Sequence, residues 1–464
     1  MAEKTTQVLV VGAGISGLAT AHFLKKNGFK VLITEKADRA GGAIRSEKRD
    51  GFLVEYGPNS TLDTNPFIHE LFSDAGIESQ MEYANEESKN RYIVRDKKLN
   101  CLPMSPLAFA GTPHFSWKAK LRIFKEPFIP PAAPDADETL ADFVVRRLGQ
   151  EFLDYAIDPF VAGVYAGLPE ALSVRSGFPK LHALEQKYGS LIKGTILGAR
   201  ERKKRQEESK QSAKLFSFPN GMQTMIDALV KLHGDELLLN TEIEDLQPTE
   251  SGYRVAFRQG DKAGTIFCEK VVFTIPVHNY PKMNLPLLQP LLPEFEKIYH
   301  PPVTMVFFGY QGNPSARPLD GFGFLIPRKE NFNILGTIWS STIFKNRAPK
   351  GGIALTTFVG GSRQPENALK SEAELKEMVL QDLGVLMGIK AQPDLVVTQS
   401  WPKAIPQYNV GHHLIIEKVA EFEKAHPGLH FSGNFRGGIS VGDCIKQSKT
   451  IAEELSKEKA TIHS

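Results

Sequence analysis

The chain has 464 residues, 41% hydrophobic and 23% charged, the make-up of a soluble globular protein long enough for about three domains with substantial cores. Its 56 Lys+Arg against 53 Asp+Glu leave a formal charge of +3; a generic nucleic-acid binder needs a clearer basic excess, so none is expected. Cys101, Cys268 and Cys444 form no CxxC pair and no disulfide framework, which points to a reducing, cytoplasmic setting.

The first seven residues are polar and run into a strand-like segment, so no signal or transit peptide is expected. Residues 8–11 are a β-branched apolar run, the mark of a buried parallel strand. Gly12-Ala13-Gly14-Ile15-Ser16-Gly17 follows at once. Ile15, Leu18, Ala19, His22 and Phe23 then recur at helical spacing, with Lys25 and Lys26 on the other face and Gly28 as the stop. Residues 30–34 read as a second strand ending at Glu35. Each part suits a dinucleotide: Gly12 for the tight turn, Gly14 for close approach to a pyrophosphate, Gly17 for helix–strand packing, and Glu35 for the ribose hydroxyls. The helix N-terminus adds unpaired N–H groups and a positive dipole end.

Lys36-Ala37-Asp38-Arg39-Ala40-Gly41-Gly42-Ala43-Ile44-Arg45 continues the chain, followed by Glu55-Tyr56-Gly57-Pro58-Asn59-Ser60 and Asn90-Arg91-Tyr92-Ile93. Taken alone, Arg39, Arg45 and Arg91 read as surface charges. Residues 95–215 are mostly helical in pattern. Within them, 104–110 and 117–131 mix aromatic, aliphatic and basic residues, which suits a membrane surface as well as a core or a lid. Gly163-Val164-Tyr165-Ala166-Gly167 lies in the same part. The charge run 200–214 has mixed signs, reads as a solvated helix or loop, and is assigned no partner.

Strands are expected at 237–246, 253–258 and 265–275. The longest apolar stretch, 275–295, is too broken by Pro276, Pro281, Pro286, Pro290 and Pro293 to cross a bilayer. Further strands are expected at 303–310, 322–326, 334–339 and 353–359, the last running into Thr356-Thr357-Phe358-Val359-Gly360-Gly361. A helix begins after Ser371, with Glu374 at the capping-box position and Leu375, Val379, Leu383 and Leu386 on its buried side. His412 and His413, adjacent and read as strand residues, point apart and are not expected to bind a metal. Residues 429–432 read as a short strand before Gly433-Asn434-Phe435-Arg436-Gly437-Gly438-Ile439-Ser440-Val441-Gly442-Asp443, and Val441, Ile445, Ser448, Ala452 and Leu455 mark one face of a final helix.

From residue 8 to that helix, these scattered segments resemble the FAD-dependent protoporphyrinogen oxidases of the amine-oxidase flavoprotein superfamily. The resemblance implies an α/β fold: a discontinuous Rossmann-like FAD-binding domain of the p-hydroxybenzoate-hydroxylase type (1–90, 216–300 and 400–464), a mixed-sheet substrate domain (91–100 and 301–399), and a mostly helical, membrane-associating domain (101–215). For FAD it implies Gly12, Ala13, Gly14, Ile15, Ser16, Gly17, Glu35 and Lys36. It adds Arg39, Gly42, Ala43 and Arg45 near the diphosphate, Gly57, Pro58, Asn59 and Ser60 beside the flavin, and Ile243 at the adenine end. Gly433, Asn434, Ile439, Ser440 and Val441 form the second signature, where another helix N-terminus can stabilise negative charge on the reduced ring.

The implied reaction removes six electrons from protoporphyrinogen IX, with dioxygen as acceptor and hydrogen peroxide as by-product. Arg91 matches the arginine that pairs with a propionate, Leu325, Ile338 and Phe358 the positions that sandwich the pyrrole rings, and Gly167 a backbone position near the reacting carbon. No acid–base residue is assigned, because the flavin carries the chemistry. Coproporphyrinogen III oxidation by the same flavoprotein type and non-catalytic porphyrin binding are the alternatives. Amine oxidation is disfavoured, since no lysine occurs in 299–310. Peripheral contact with the inner face of the cell membrane, a homodimer and a ferrochelatase contact complete the expectations.

Overall fold

The computed structural model describes residues 2–103, 105–205 and 213–462. Two seven-stranded sheets organise them. The first has a parallel centre: Leu237–Leu238, Val31–Thr34, Ala2–Val11, Lys262–Phe273 and Leu429–Phe431 pair in that order. Val11 is level with Thr34 and with Phe273, and Phe273 with Phe431. The residues that follow these four, Gly12, Glu35, Thr274 and Ser432, therefore leave the sheet side by side at its carboxyl edge, where open parallel sheets bind ligands.

The strand expected at 237–246 is two strands. Asn240 takes a left-handed conformation (φ +52), which ends the short parallel strand; Thr241–Thr249 then starts an antiparallel meander with Gly252–Gln259. Lys262–Phe273 begins earlier than expected and stops two residues sooner. The helix Ile15–Lys26 is buried from Ile15 to Leu24, not along one stripe only. It is covered by the sheet on one side and by the final helix, Val441–Ile462, on the other.

The second sheet runs Leu395–Trp401, Val303–Tyr310, Ile353–Gly360, Ile334–Ile338, Gly321–Leu325, Asn90–Arg95, Lys98–Cys101. Helix Glu372–Met387, with its Ser371/Glu374 capping box formed, covers one face through Leu375, Val379, Leu383 and Leu386. At one end of the opposite face, Met305 and Phe307 pack on the strand Phe52–Glu55. At the other end, helix Asp158–Tyr165 lies over the strands.

That helix belongs to a helical lobe centred on a buried ion cluster. Arg147 pairs with Glu126 at 3.0 Å and Glu185 at 2.5 Å, all three nearly or wholly inaccessible; removing one partner would strand a buried charge. Glu126 also accepts the N–H groups of Leu191 and Ile192 at the start of helix Leu191–Arg205. The predicted charge run enters that helix, and its residues 206–212, like Met104, lie outside the described residues. Among the described residues no helix is long and apolar enough to cross a membrane.

Candidate active site

The first glycine turn separates what the fold demands from what it leaves open. Gly12 has φ +103, and a Cβ there would meet Ile275 Cγ2 at 2.9 Å; a Cβ on Gly17 would lie 1.9 Å from the Gly12 carbonyl oxygen. The chain itself requires both glycines. Gly14 differs: its φ is −70, which any residue adopts, and a Cβ there meets nothing within 4 Å. The space over Gly14 fits a group that the polypeptide does not supply, at a helix N-terminus where a diphosphate is favoured. Thr274 Oγ1 braces the turn by donating to the carbonyls of Val11 and Gly12, both at 3.0 Å. Glu35 accepts the N–H of Ala13 at 2.8 Å and of Ala37 at 2.9 Å; a carboxylate keeps further lone pairs for ribose hydroxyls.

The second loop closes on the first. Gly41 N–H donates to the Ala13 carbonyl at 2.8 Å, and a Cβ on Gly42 would stand 3.6 Å from Gly14 Cα. Arg39 is turned onto carbonyls of its own loop, Gly42 at 2.7 Å, Ala40 at 3.2 Å and Ile44 at 3.3 Å, so it shapes the loop. Arg45 lies over the Tyr56 ring at 4.5 Å and pairs with Glu47. Gly57 presses on Ala43, whose carbonyl oxygen a Cβ would meet at 2.0 Å. Half-buried Pro58, Asn59 and Ser60 follow, and Trp401 Nε1 of the second sheet donates to the Tyr56 carbonyl at 3.1 Å. Lys36 is exposed and paired with Glu242 at 2.7 Å. Ile243 stands apart: its side chain is in the core cluster with Leu9 and Phe257, and it pairs with Phe257 in the meander.

The third component arrives from the other end of the chain. Ser448 Oγ donates to the Ser16 carbonyl at 2.9 Å, which ties the first turn of the first helix to the second turn of the last. Ser440 Oγ accepts the Asp443 N–H at 3.1 Å, Val441 is buried against the first helix, and Ile439 is half-buried. Gly433 has φ +132 with nothing closer than 3.8 Å to a Cβ. The histidine expectation is corrected here: His412 and His413 open a helix, His412–Ala425, after Gly411 (φ +87). His412 is buried, and burial pushes its pKa down to about 4, so it is neutral and hydrogen-bonds the Phe435 carbonyl at 2.9 Å through Nε2. His413 meets Asp137 at 3.2 Å.

The substrate-side residues share one sheet face. Leu325 pairs with Gly336, Gly336 with Phe358, and Ile338 with Gly323 and Thr356, so Leu325, Ile338 and Phe358 project together. In the strands Ile334–Ile338 and Ile353–Gly360, Ile338 and Phe358 are the half-buried positions among wholly buried ones; Leu325 is likewise half-buried. Leu325 also pairs with Ile93, which puts Arg91, two residues back, on the same face. The Arg91 guanidinium lies over the Phe322 ring at 4.4 Å and donates to the carbonyls of Ser88, Lys89 and Asn90. Burial alone lowers its pKa, and no carboxylate among the described residues pairs with it. Arg95, further along, is taken by Glu151 at 2.8 Å. Overhead, the helix Asp158–Tyr165 ends at Ala166 in a left-handed conformation (φ +52), followed by Gly167. A cation without a counter-ion beside an apolar wall suits a large apolar anion.

Sequence reasoning missed Thr274, Gln407 and Tyr408. No local motif marks them, because their work is hydrogen bonding to distant backbone.

A family model for flavin containing amine oxidoreductases matches residues 15–456. Protoporphyrinogen oxidase 2, chloroplastic/mitochondrial, of Arabidopsis thaliana is 35% identical over 96% of this chain and 93% of its own. Coproporphyrinogen III oxidase of Bacillus subtilis (strain 168) is 27% identical over 98% of both chains. A crystal structure assigned as a protoporphyrinogen oxidase, from Exiguobacterium sp. 255-15, superposes with a TM-score of 0.81 at 25% identity, covering 99% of this chain and 100% of that one.

Proposed function

The chain belongs to the protoporphyrinogen oxidase family of flavin containing amine oxidoreductases, and from that premise we propose that it oxidises protoporphyrinogen IX to protoporphyrin IX in haem biosynthesis. The overall change removes six electrons and six protons from the substrate and reduces three dioxygen molecules to hydrogen peroxide. FAD, when bound, supplies the hydride acceptor. The chain's own residues do the rest. Gly12–Gly17 and Gly41–Gly42 provide the surface for the diphosphate, with Glu35 for the ribose. The N-terminus of the final helix would stabilise negative charge on the reduced ring. Leu325, Ile338 and Phe358 clamp the macrocycle and exclude water, and Arg91 takes a propionate through a planar fork that fits a carboxylate.

The observation that carries this reading is the shared face of Leu325, Ile338, Phe358 and an Arg91 with which no carboxylate among the described residues pairs. It favours a substrate with two propionates over coproporphyrinogen III with four, since Arg95 on the same strand is already neutralised. The test is anaerobic mixing of the yellow protein with each porphyrinogen. Bleaching of the flavin absorption is expected, faster with protoporphyrinogen; a spectrum unmoved by either would leave a porphyrin-binding flavoprotein.

The same reading extends to a lipid surface. Trp117, Leu121, Phe124 and Phe128 are 62–85% exposed, with Lys118 and Lys125 exposed among them. Apolar side chains interleaved with cations suit the headgroup region of an anionic bilayer. We assign this edge of the helical lobe to the inner face of the cell membrane, where an apolar porphyrinogen partitions.

A further inference from the structure

The loop between the second sheet and helix His412–Ala425 carries two adjacent residues that reach opposite ways. Gln407 is 2% exposed. Its Nε2 donates to the Tyr165 carbonyl at 2.7 Å and the Ile405 carbonyl at 3.0 Å. Its Oε1 is buried without a donor among the described residues and faces Gly167, where a Cβ would come within 2.2 Å of it. Ala166, between these contacts, holds a left-handed backbone unusual for a residue other than glycine. Its carbonyl accepts the Ser362 N–H at 2.7 Å. The turn over the substrate space is thus gripped by the second sheet on one side and by Gln407 on the other.

Tyr408 faces the cofactor loop. Its hydroxyl donates to the Asn434 carbonyl at 2.8 Å and accepts the Gly438 N–H at 3.1 Å. Its ring stacks on His412 at 4.2 Å and 10°, and His412 bonds Phe435 of the same loop. The backbone of the pair is fixed too: Gln407 N–H donates to the Tyr299 carbonyl at 2.9 Å, and the Tyr408 carbonyl accepts the Ser173 N–H at 2.9 Å. Consecutive Cα atoms across a trans peptide stand about 3.8 Å apart, so one rigid peptide unit joins the two grips.

We propose that Gln407 and Tyr408 are positioning residues that together set the gap between the substrate turn at Tyr165–Gly167 and the cofactor loop at Asn434–Gly438. Transfer between a bound substrate and a bound cofactor depends steeply on that gap. The proposal rests on the reading that flavin lies against the second loop and porphyrinogen beneath the turn, and it adds the part that spaces them.

Tyr408→Phe keeps the stack on His412 and removes only the hydroxyl, leaving two backbone groups without their partner. The FAD dissociation constant should rise about tenfold or more, while porphyrin affinity, read by fluorescence titration, stays at the parental value. Gln407→Met removes the grip on Tyr165. Here FAD affinity and porphyrin affinity should stay parental, while the single-turnover rate of flavin reduction by protoporphyrinogen falls about tenfold or more. Gly167→Ala strains the same contact from the opposite side and should lower the same reduction rate with FAD affinity at the parental value, which covers the case of a variant that does not fold. Parental FAD affinity in Tyr408→Phe overturns the proposal. So does a parental reduction rate in Gln407→Met and Gly167→Ala, or a loss of FAD affinity equal to the loss of rate. A parent protein that protoporphyrinogen does not reduce would instead overturn the function itself.

Discussion

Gly163 sits so close to Leu325 that a Cβ at position 163 would lie 2.2 Å from the leucine's Cδ2. The obstructing atom is the tip of a flexible side chain, so Gly163→Ala should fold normally. The leucine tip must then rotate toward the substrate space. We expect the KM for protoporphyrinogen to rise several-fold, and Leu325→Ala in the same chain to recover much of it. Steady-state kinetics of the single and double variants check the coupling, which a pair without contact would not show.

Gly14 and Gly17 predict opposite failures. Gly14→Val has room in the chain and a permitted backbone, so it should purify colourless yet melt close to the parent stripped of FAD. Gly17→Val drives its side chain into the Gly12 carbonyl and should fail to fold. Absorption near the flavin band together with thermal melting separates the two.

Arg91→Ala should lower kcat/KM by about one to two powers of ten, the cost of a lost charged pair. Arg91→Lys should recover only part, because an ammonium lacks the planar fork. The loss should shrink for a porphyrinogen whose propionates are esterified, which a comparison of the free acid and the ester measures.

Glu55 makes stability depend on pH. It is buried between Ser46 Oγ, the Met222 N–H at 3.0 Å and Arg347 at 3.9 Å, and burial pushes its carboxyl up to about 7 from the ordinary 4.5. Between those values the folded state keeps a proton that the unfolded chain has released. Its contribution is therefore full below the unfolded value and is lost as pH rises through about 7. Glu55→Gln should remove that downward slope from a plot of Tm against pH, and an unchanged slope would assign it to other groups.

Replacing Trp117, Phe124 and Phe128 with serine should abolish flotation with vesicles of anionic phospholipid. Each aromatic side chain buried in lipid contributes about 1.5–3 kcal/mol, so the triple change exceeds a hundredfold in partitioning. Turnover of detergent-dispersed substrate should be retained, because these exposed side chains are not among those that build the sheet face holding Arg91.

The glycine turn, its helix and Glu35 were legible because a βαβ unit keeps its chemistry within a few dozen residues. Four strands of the second sheet, Val303–Tyr310, Gly321–Leu325, Ile334–Ile338 and Ile353–Gly360, were legible from apolar runs, and Ser371 with Glu374 from a local cap; Asn90–Arg95, Lys98–Cys101 and Leu395–Trp401, with polar or charged residues among them, were not. The strand pairing that aligns Gly12, Glu35, Thr274 and Ser432 is not local, so it has no signature in sequence. Residues 412–425 show why a short window misleads. Two adjacent histidines suggest alternation, whereas the buried positions His412, Ile415, Val419 and Phe422 carry a helical period that only a longer window reveals. Gln407 and Tyr408 bond to backbone carbonyls, which every residue type possesses, so nothing in their partners' identities points back to them.

The tie between Ser448 and Ser16 has a consequence for synthesis on the ribosome. The opening turn emerges first but waits for the last helix to complete its cradle, so a nascent chain halted before residue 433 lacks a whole wall of the flavin's berth. Translation that aborts before that helix therefore yields fragments in which Ser16 lacks the Ser448 hydroxyl, and such fragments should not retain FAD.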